Sequence, residues 1–109
     1  MDLKHIAKEV EKVSQKYSGK FKVKRDSDWY ILKLQEELGE LIQSYLMMIG
    51  QARDKGKSAE ELQKDFQKEI ADVFCHVLLL AKHHGVDIEK EVNEKWLVWN
   101  KESDTPKTK

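Results

Sequence analysis

Two pairs of acidic residues have a spacing that suits metal binding. Glu37 and Glu40 stand three positions apart, and so do Glu69 and Asp72. At 100° per residue, each pair lies on the flank of the apolar stripe of a predicted helix, on the same rotational side of both stripes. Glu40 lies 16 residues before Gly56 and Asp72 lies 16 residues after it. If the two helices form an antiparallel hairpin that turns at Gly56, the four carboxylates converge at one level.

Four carboxylates in close proximity repel one another and require a counter-charge. A hard divalent cation meets that requirement, because Mg²⁺ prefers oxygen ligands, keeps several waters and completes its octahedron with substrate phosphates. The pattern therefore predicts Mg²⁺, or Mn²⁺ in its place, between the two helices. The alternative is two solvated helix faces, because a chain with 20 acidic residues also produces such pairs by chance.

Two lysines are candidates for contacts with a substrate. Lys95 lies between Val92 and Trp99 on the apolar stripe of a predicted C-terminal helix, where a charge is not expected, and its ammonium could hold a phosphate oxygen. The alternative is a stem that packs while the charged head reaches water. Lys33 lies one turn before Glu37, and its simplest role is that of an ion-pair partner on the same face.

Three further side chains are candidates for contacts with a base or sugar. The basic segment of residues 20–25 could reach over a bound triphosphate, and Phe21 within it or Trp29 just after it offers a surface on which a base could stack. His76 lies one turn after Asp72 and would contact a sugar or base, or hydrogen-bond a ligand carboxylate. The alternative for the basic segment is a solvated linker, and the alternative for His76 is a structural histidine. The cysteine and nearby histidines lack a zinc spacing, which excludes a zinc site at Cys75, His76, His83 and His84.

Composition excludes several classes of protein. The chain has 109 residues, a single cysteine, and 20 basic against 20 acidic residues. This length predicts one domain, residues 1–102, followed by a flexible tail, residues 103–109. A chain without a basic surplus is not expected to bind nucleic acid, and the longest apolar stretch, residues 73–81, is far shorter than the roughly 20 residues of a membrane span. We expect a cytoplasmic protein that binds neither nucleic acid nor a membrane.

Four helices must position these side chains. Apolar periodicity predicts helices over residues 2–17, 27–53, 58–84 and 87–101, with an extended segment over 20–25. Ser58 and Glu61 have the spacing of a capping box, and Gly85 suits the end of a helix. The prediction is an all-α fold, a four-helix bundle whose spine is the long antiparallel pair formed by the second and third helices. The apolar stripe of the second helix comprises Ile31, Leu34, Leu38, Leu41, Ile42, Tyr45, Met48 and Ile49.

Together these motifs resemble a known enzyme family. Residues 33–40 (KLQEELGE), 69–73 (EIADV) and 85–89 (GVDIE), followed by Lys95, are similar to the MazG-like superfamily of all-α nucleoside triphosphate pyrophosphohydrolases, over about residues 27 to 100. The family often has Asn four residues after this lysine and Tyr at the position of His76, whereas this chain has Trp99 and His76. By motif match, the resemblance implies that the metal ligands are Glu37, Glu40, Glu69 and Asp72.

The resemblance implies a Mg²⁺-dependent enzyme that cleaves a nucleoside triphosphate between the α and β phosphates, with a nucleoside monophosphate and pyrophosphate as products. Carboxylate-held Mg²⁺ neutralises phosphate oxygens and lowers the pKa of a bound water, which attacks phosphorus. The predicted catalytic residues are Glu36, Glu37, Glu40 and Lys95, of which Glu36 or Glu40 would orient that water or accept its proton.

Other functions and an assembly state follow from the same residues. One alternative is a related enzyme that acts on phosphoribosyl-ATP, and another is a non-catalytic helical module, such as a regulatory or toxin-antitoxin subunit, that docks through its acidic face. We also expect a homodimer or a dimer of dimers, because broad apolar surfaces mark partner sites. The residues of that surface are Tyr45, Met47, Met48, Trp96 and Trp99.

Overall fold

The computed structural model of the chain describes residues 1–100, so that the predicted tail, residues 103–109, lies outside the described residues. Within that range the chain forms four α-helices and one short 3₁₀ helix, without a strand, which confirms the all-α prediction. The helices are α1 (Leu3–Phe21), α2 (Ser27–Met48), α3 (Ala59–His83) and α4 (Ile88–Lys95), and the 3₁₀ helix is Leu97–Asn100.

The α2–α3 hairpin is the most extensive packing contact of the fold. Asp26 caps α2 by accepting the Trp29 N–H at 2.9 Å, and the predicted capping box begins α3, with both bonds between Ser58 and Glu61 present. Helix α2 ends at Met48, five residues earlier than predicted. The cause is Gly50, whose φ of +79° is left-handed and stops the helix.

The face that α2 turns toward α3 is not the centre of its apolar stripe. Tyr30, Glu37 and Ser44, seven residues apart, are the buried residues of α2, whereas Leu38 and Ile42 of the predicted stripe are exposed. Glu37, which lies on the flank of the apolar stripe, therefore faces α3, while the centre of the stripe at Leu38 is exposed. A spacing of seven residues brings a side chain back to nearly the same side of a helix, so this row is a continuous strip against α3.

Helix α1 packs against α3 and is joined to the start of α2 by an ion pair. The Arg25 guanidinium donates to both oxygens of Glu11, at 2.9 and 2.8 Å, and also to Ser14. The prediction that residues 20–25 are extended is partly wrong, because α1 continues through Phe21. Lys22 caps the end of this helix: it has a φ of 54° and donates its N–H to the Ser18 carbonyl.

The C-terminal helix is shorter than predicted. Helix α4 ends at Lys95 instead of residue 101, and the chain then tightens into the 3₁₀ helix, where the Trp99 N–H donates to the Trp96 carbonyl at 3.2 Å. A 3₁₀ helix has three residues per turn, so the predicted single stripe through Val92 and Trp99 does not continue. Within residues 1–100, the extensive contacts of α4 are with this 3₁₀ helix.

The chain leaves much apolar surface uncovered. None of the helices in residues 1–100 combines the length and the apolar character needed to cross a membrane. The large exposed apolar side chains of α2 and α3 are Ile31, Leu32, Leu38, Ile42, Tyr45, Ile49, Ile70 and Phe74.

Candidate metal centre

Glu37 stands at the centre of a cluster of carboxylates from both helices of the hairpin. One oxygen of Glu37 lies within 4.8 Å of oxygens of Glu69 and Asp72, and a second group within the same distance joins Glu37 to Glu36 and Glu40. The hairpin thus brings together all four acidic residues predicted from spacing. Glu37 links the two groups, and its side chain is the most enclosed of them, because the residue is only 8% exposed.

Burial and mutual repulsion change the acidity of this cluster. Burial, together with the neighbouring carboxylates of Glu40 and Asp72, raises the pKa of Glu37 to about 7, from an ordinary value of 4.5. Burial and the adjacent Asp72 and Glu40 also raise the pKa of Glu69. Both shifts mean that the surroundings disfavour the charged carboxylate, which is the condition under which a nearby cation is strongly attracted.

One oxygen of the cluster has no partner. Glu69 Oε1 is inaccessible to solvent and accepts no hydrogen bond, although buried polar atoms in folded proteins are nearly always paired. Carboxylate oxygens of Glu37 and Asp72 are grouped with Glu69, and carboxylate oxygen is the ligand type that Mg²⁺ and Mn²⁺ prefer. The enclosed Glu37, the unpaired Glu69 oxygen and this donor set fit a hard divalent cation.

Lys33 and His76 border the cluster on the side away from the α2–α3 turn. The Lys33 ammonium pairs with Glu36 at 2.6 Å, whereas the predicted partner was the next residue, Glu37. Hydrogen bonding to Lys33 lowers the pKa of Glu36. His76 is half-buried, and burial, followed by the charge of Lys33, lowers its pKa. The Trp29 ring lies 6.2 Å from the His76 ring, centroid to centroid, so two of the three predicted contacts for a base or sugar lie at this end.

Phe21 and Lys95 do not contact the cluster within residues 1–100. Phe21 is 56% exposed and packs on Tyr17, with ring centroids 4.8 Å apart. Lys95 is exposed at the end of α4, a helix whose extensive contacts are with the 3₁₀ helix and not with the hairpin. The predicted position of Lys95 opposite the carboxylates depended on a longer α4, and in the single chain it is not found.

Sequence reasoning missed three lysines on the turn side of the cluster. An open groove of about 410 Å³ runs from the carboxylates toward the α2–α3 turn, and Lys55, Lys57 and Lys68 line it. Residues 54–57 had been interpreted only as a turn. The available signal was helical phase, because Lys68 falls on the same face of α3 as Asp72. The groove is completed by Glu40, Gln43, Ser44, Met47, Asp65, Glu69 and Asp72.

The chain was compared with models of protein families, with curated proteins and with solved structures, and none of the three comparisons finds a match.

Proposed function

We propose that this protein is a Mg²⁺-dependent nucleoside triphosphate pyrophosphohydrolase, with nucleotide-pool housecleaning as its role. The observation that carries the proposal is the enclosed Glu37, surrounded by carboxylates from both helices of the hairpin. A protein surface used only for solubility or docking has no need for an acidic side chain in this position, because burying a carboxylate beside others costs free energy unless a cation compensates. The resemblance of the acidic motifs to the MazG-like superfamily supports the same reaction.

The residues of the cluster divide into ligands and substrate contacts. Glu37, Glu40, Glu69 and Asp72 would hold the ion, which supplies neutralisation of phosphate charge and a more acidic water. Glu36 is paired with Lys33 and has a lowered pKa, so it is the weaker of the two proposed proton acceptors. Glu40 is exposed and lines the groove, which makes it the better placed of the two to accept a proton at the phosphate chain.

The other end of the site is suited to a base. Trp29 and His76 present neighbouring rings on the side of the cluster away from the turn. An aromatic ring stacks on any base, so this pair would orient a nucleoside without strong selection among bases. The lowered pKa of His76 keeps its imidazole neutral at pH 7, and a neutral imidazole can both donate and accept a hydrogen bond with a sugar or base.

We further propose that the active form is a homodimer or a dimer of dimers. Helix α2 turns Glu37 toward α3 and leaves Leu38 and Ile42 exposed on its other side. Other large apolar side chains of α2 and α3 are exposed as well, and exposed apolar surface is what a second copy would bury. A second copy is also the available route by which Lys95 or Phe21 would reach a carboxylate cluster, because neither contacts it within its own chain.

The reaction is tested with a panel of nucleoside and deoxynucleoside triphosphates in the presence of Mg²⁺. We expect release of pyrophosphate and nucleoside monophosphate, loss of activity in EDTA, and loss of at least about 100-fold in kcat in Glu69→Gln, since removal of one metal ligand or electrostatic stabiliser commonly has such an effect. Glu60→Gln is the matched control, because Glu60 lies on the exposed face of α3 and pairs with Lys64 outside the cluster.

Two results would contradict the proposal. Release of inorganic phosphate in place of pyrophosphate would mean that a different bond is cleaved. No turnover with any nucleotide, including phosphoribosyl-ATP, by a folded protein that still binds Mg²⁺ would favour a non-catalytic module that uses the acidic face for docking.

A further inference from the structure

The groove beside the carboxylate cluster has a charge pattern of its own. Its α2 wall begins at Glu40 and its α3 wall ends at Asp72, and each wall follows one helix face over two turns toward the α2–α3 turn, a length of about 10 Å. The carboxylates of Glu40, Glu69 and Asp72 occupy the inner end, while Lys55, Lys57 and Asp65 lie toward the outer end and Lys68 lies between the two. The groove therefore changes from negative to positive along its length.

Two of these lysines have no acidic partner among the described residues. Lys57 forms an ion pair with Asp65 at 2.5 Å, but no ion pair or hydrogen bond is formed by the ammonium groups of Lys55 or Lys68 within residues 1–100. All three are exposed, and the charges of Lys55 and Lys68 are available to a ligand in the groove, whereas Lys57 shares its charge with Asp65.

The turn holds its two lysines on a defined backbone. Asp54 accepts the Gly56 N–H through its side chain at 2.9 Å and the Lys57 N–H through its carbonyl at 3.0 Å. Lys55 has a φ of 56° and Gly56 a φ of 79°, so two successive residues are left-handed. Side chains that project from an ordered turn lose less conformational entropy on binding than those of a mobile loop.

The two ends of the cluster offer opposite chemistry. On one side Trp29 and His76 present rings, and on the other the groove presents lysines. Along the hairpin, the carboxylates lie between them. A nucleotide whose reacting phosphate lies at the carboxylates can place its base on the rings only if the rest of its phosphate chain enters the groove.

We propose that Lys55, Lys57 and Lys68 form a binding site for the pyrophosphate portion of the substrate, the β and γ phosphates, and hold it as the leaving group. This inference rests on the proposed function for the orientation of the substrate. The site itself is defined by the groove and would bind inorganic pyrophosphate as a separate ligand.

The charges in the groove also predict coupled binding. Without a divalent cation, Glu40, Glu69 and Asp72 repel a polyanion at the inner end of the groove. A divalent cation bound by these carboxylates cancels two of their negative charges, which weakens that repulsion and lets the lysines attract a polyanion. Pyrophosphate is therefore expected to bind in the presence of Mg²⁺ and not in EDTA, a dependence that isolated surface lysines would not produce.

Titration calorimetry with inorganic pyrophosphate tests the site directly. We expect binding to the wild-type protein in Mg²⁺, weakened about tenfold in the Lys55→Ala/Lys68→Ala double variant, since two exposed charge contacts each contribute a few-fold in affinity. Lys64→Ala is the matched control, because Lys64 lies one turn before Lys68 on α3 and pairs with Glu60 outside the groove. Circular dichroism and the Mg²⁺-induced rise in Tm establish that each variant is folded and binds metal.

Kinetics provide the second measurement. The KM for a nucleoside triphosphate and the inhibition constant of pyrophosphate should rise together in the double variant, while inhibition by the nucleoside monophosphate should not change. The inference is overturned if wild-type protein does not bind pyrophosphate in Mg²⁺, or if the double variant binds it as tightly as Lys64→Ala does.

The failure of this inference can be told apart from failure of the proposed function. If the protein turns over a nucleotide but the double variant binds pyrophosphate as tightly as wild type does, the proposed function stands and the lysine site is ruled out. If pyrophosphate binding depends on the lysines but no nucleotide is turned over, the lysine site stands and the proposed reaction is ruled out.

Discussion

Replacing Glu37 by glutamine is expected to stabilise the metal-free protein at neutral and alkaline pH. In the folded state the pKa of Glu37 is about 7, raised by burial and by the adjacent carboxylates, whereas its ordinary value is 4.5. The folded protein therefore binds a proton at this site more tightly than the unfolded chain does. Between pH 4.5 and 7 the unfolded state loses that proton first, so the free energy of unfolding falls as the pH rises through this window.

The size of the effect follows from the shift in pKa. A rise in pKa from 4.5 to about 7 sets an upper limit of about 3 kcal/mol on this cost, which is fully present above pH 7 and absent below pH 4.5. Glutamine has nearly the same shape as glutamate and carries no charge, so Glu37→Gln removes this cost. For a chain of this length, a gain of about 3 kcal/mol raises Tm by roughly 10 °C or more.

The assay is thermal unfolding followed by circular dichroism, in EDTA, at pH 5 and pH 8 and at one protein concentration. We expect Glu37→Gln to unfold at a clearly higher temperature than wild type at pH 8 and at nearly the same temperature at pH 5. Glu60→Gln, an exposed replacement on α3, should change Tm little at either pH. If Mg²⁺ binds here, it should stabilise wild type more at pH 8 than at pH 5 and should stabilise Glu37→Gln much less.

Two results would refute this reasoning. A Glu37→Gln variant that is less stable than wild type at pH 8 would mean that the carboxylate is stabilised by its surroundings and not strained by them. A change in Tm that is equal at pH 5 and pH 8 would mean that packing, and not ionisation, accounts for the difference.

Three further substitutions test other parts of the fold. Arg25→Ala should lower the free energy of unfolding by about 2 kcal/mol, because the half-buried carboxylate of Glu11 loses both guanidinium bonds; urea unfolding measures it, and an unchanged midpoint would show that the pair contributes nothing. Ile42→Arg, a charge placed on the exposed apolar face of α2, should convert a dimer to a monomer in light scattering, and a wild-type monomer would contradict the proposed assembly. Gly50→Ala should cost about 1 kcal/mol in the same urea experiment, because φ is +79° there; no loss would mean that the helix end rearranges freely.

The helices of this protein are largely predictable from local sequence. Apolar periodicity located all four, and the Ser58–Glu61 capping box identified the start of α3, because a cap depends on residues within one turn of each other. The helix ends were less predictable. The periodic pattern continues past Gly50 and past Lys95, but a left-handed glycine and a change to 3₁₀ winding end the helices first.

The convergence of the four acidic residues was also predictable, since helical phase and distance from a turn are properties of the sequence. Which of them is buried was not. The apolar stripe of α2 is centred near Leu38 with Glu37 at its flank, yet in the structure Glu37 faces α3 and Leu38 is exposed. The sequence marks the apolar face of α2 without indicating whether its own hairpin or another surface covers it.

The partners of the charged side chains were decided by the tertiary structure. Lys33 pairs with Glu36 and not with Glu37, because Glu37 is turned inward. Lys55 and Lys57 are distant from the acidic motifs along the chain, and only the closing of the hairpin places them in one groove with Asp72. Spacing along a single helix specifies which residues share a face, whereas the relative rotation of two packed helices specifies which faces meet, and that rotation depends on contacts across the whole hairpin.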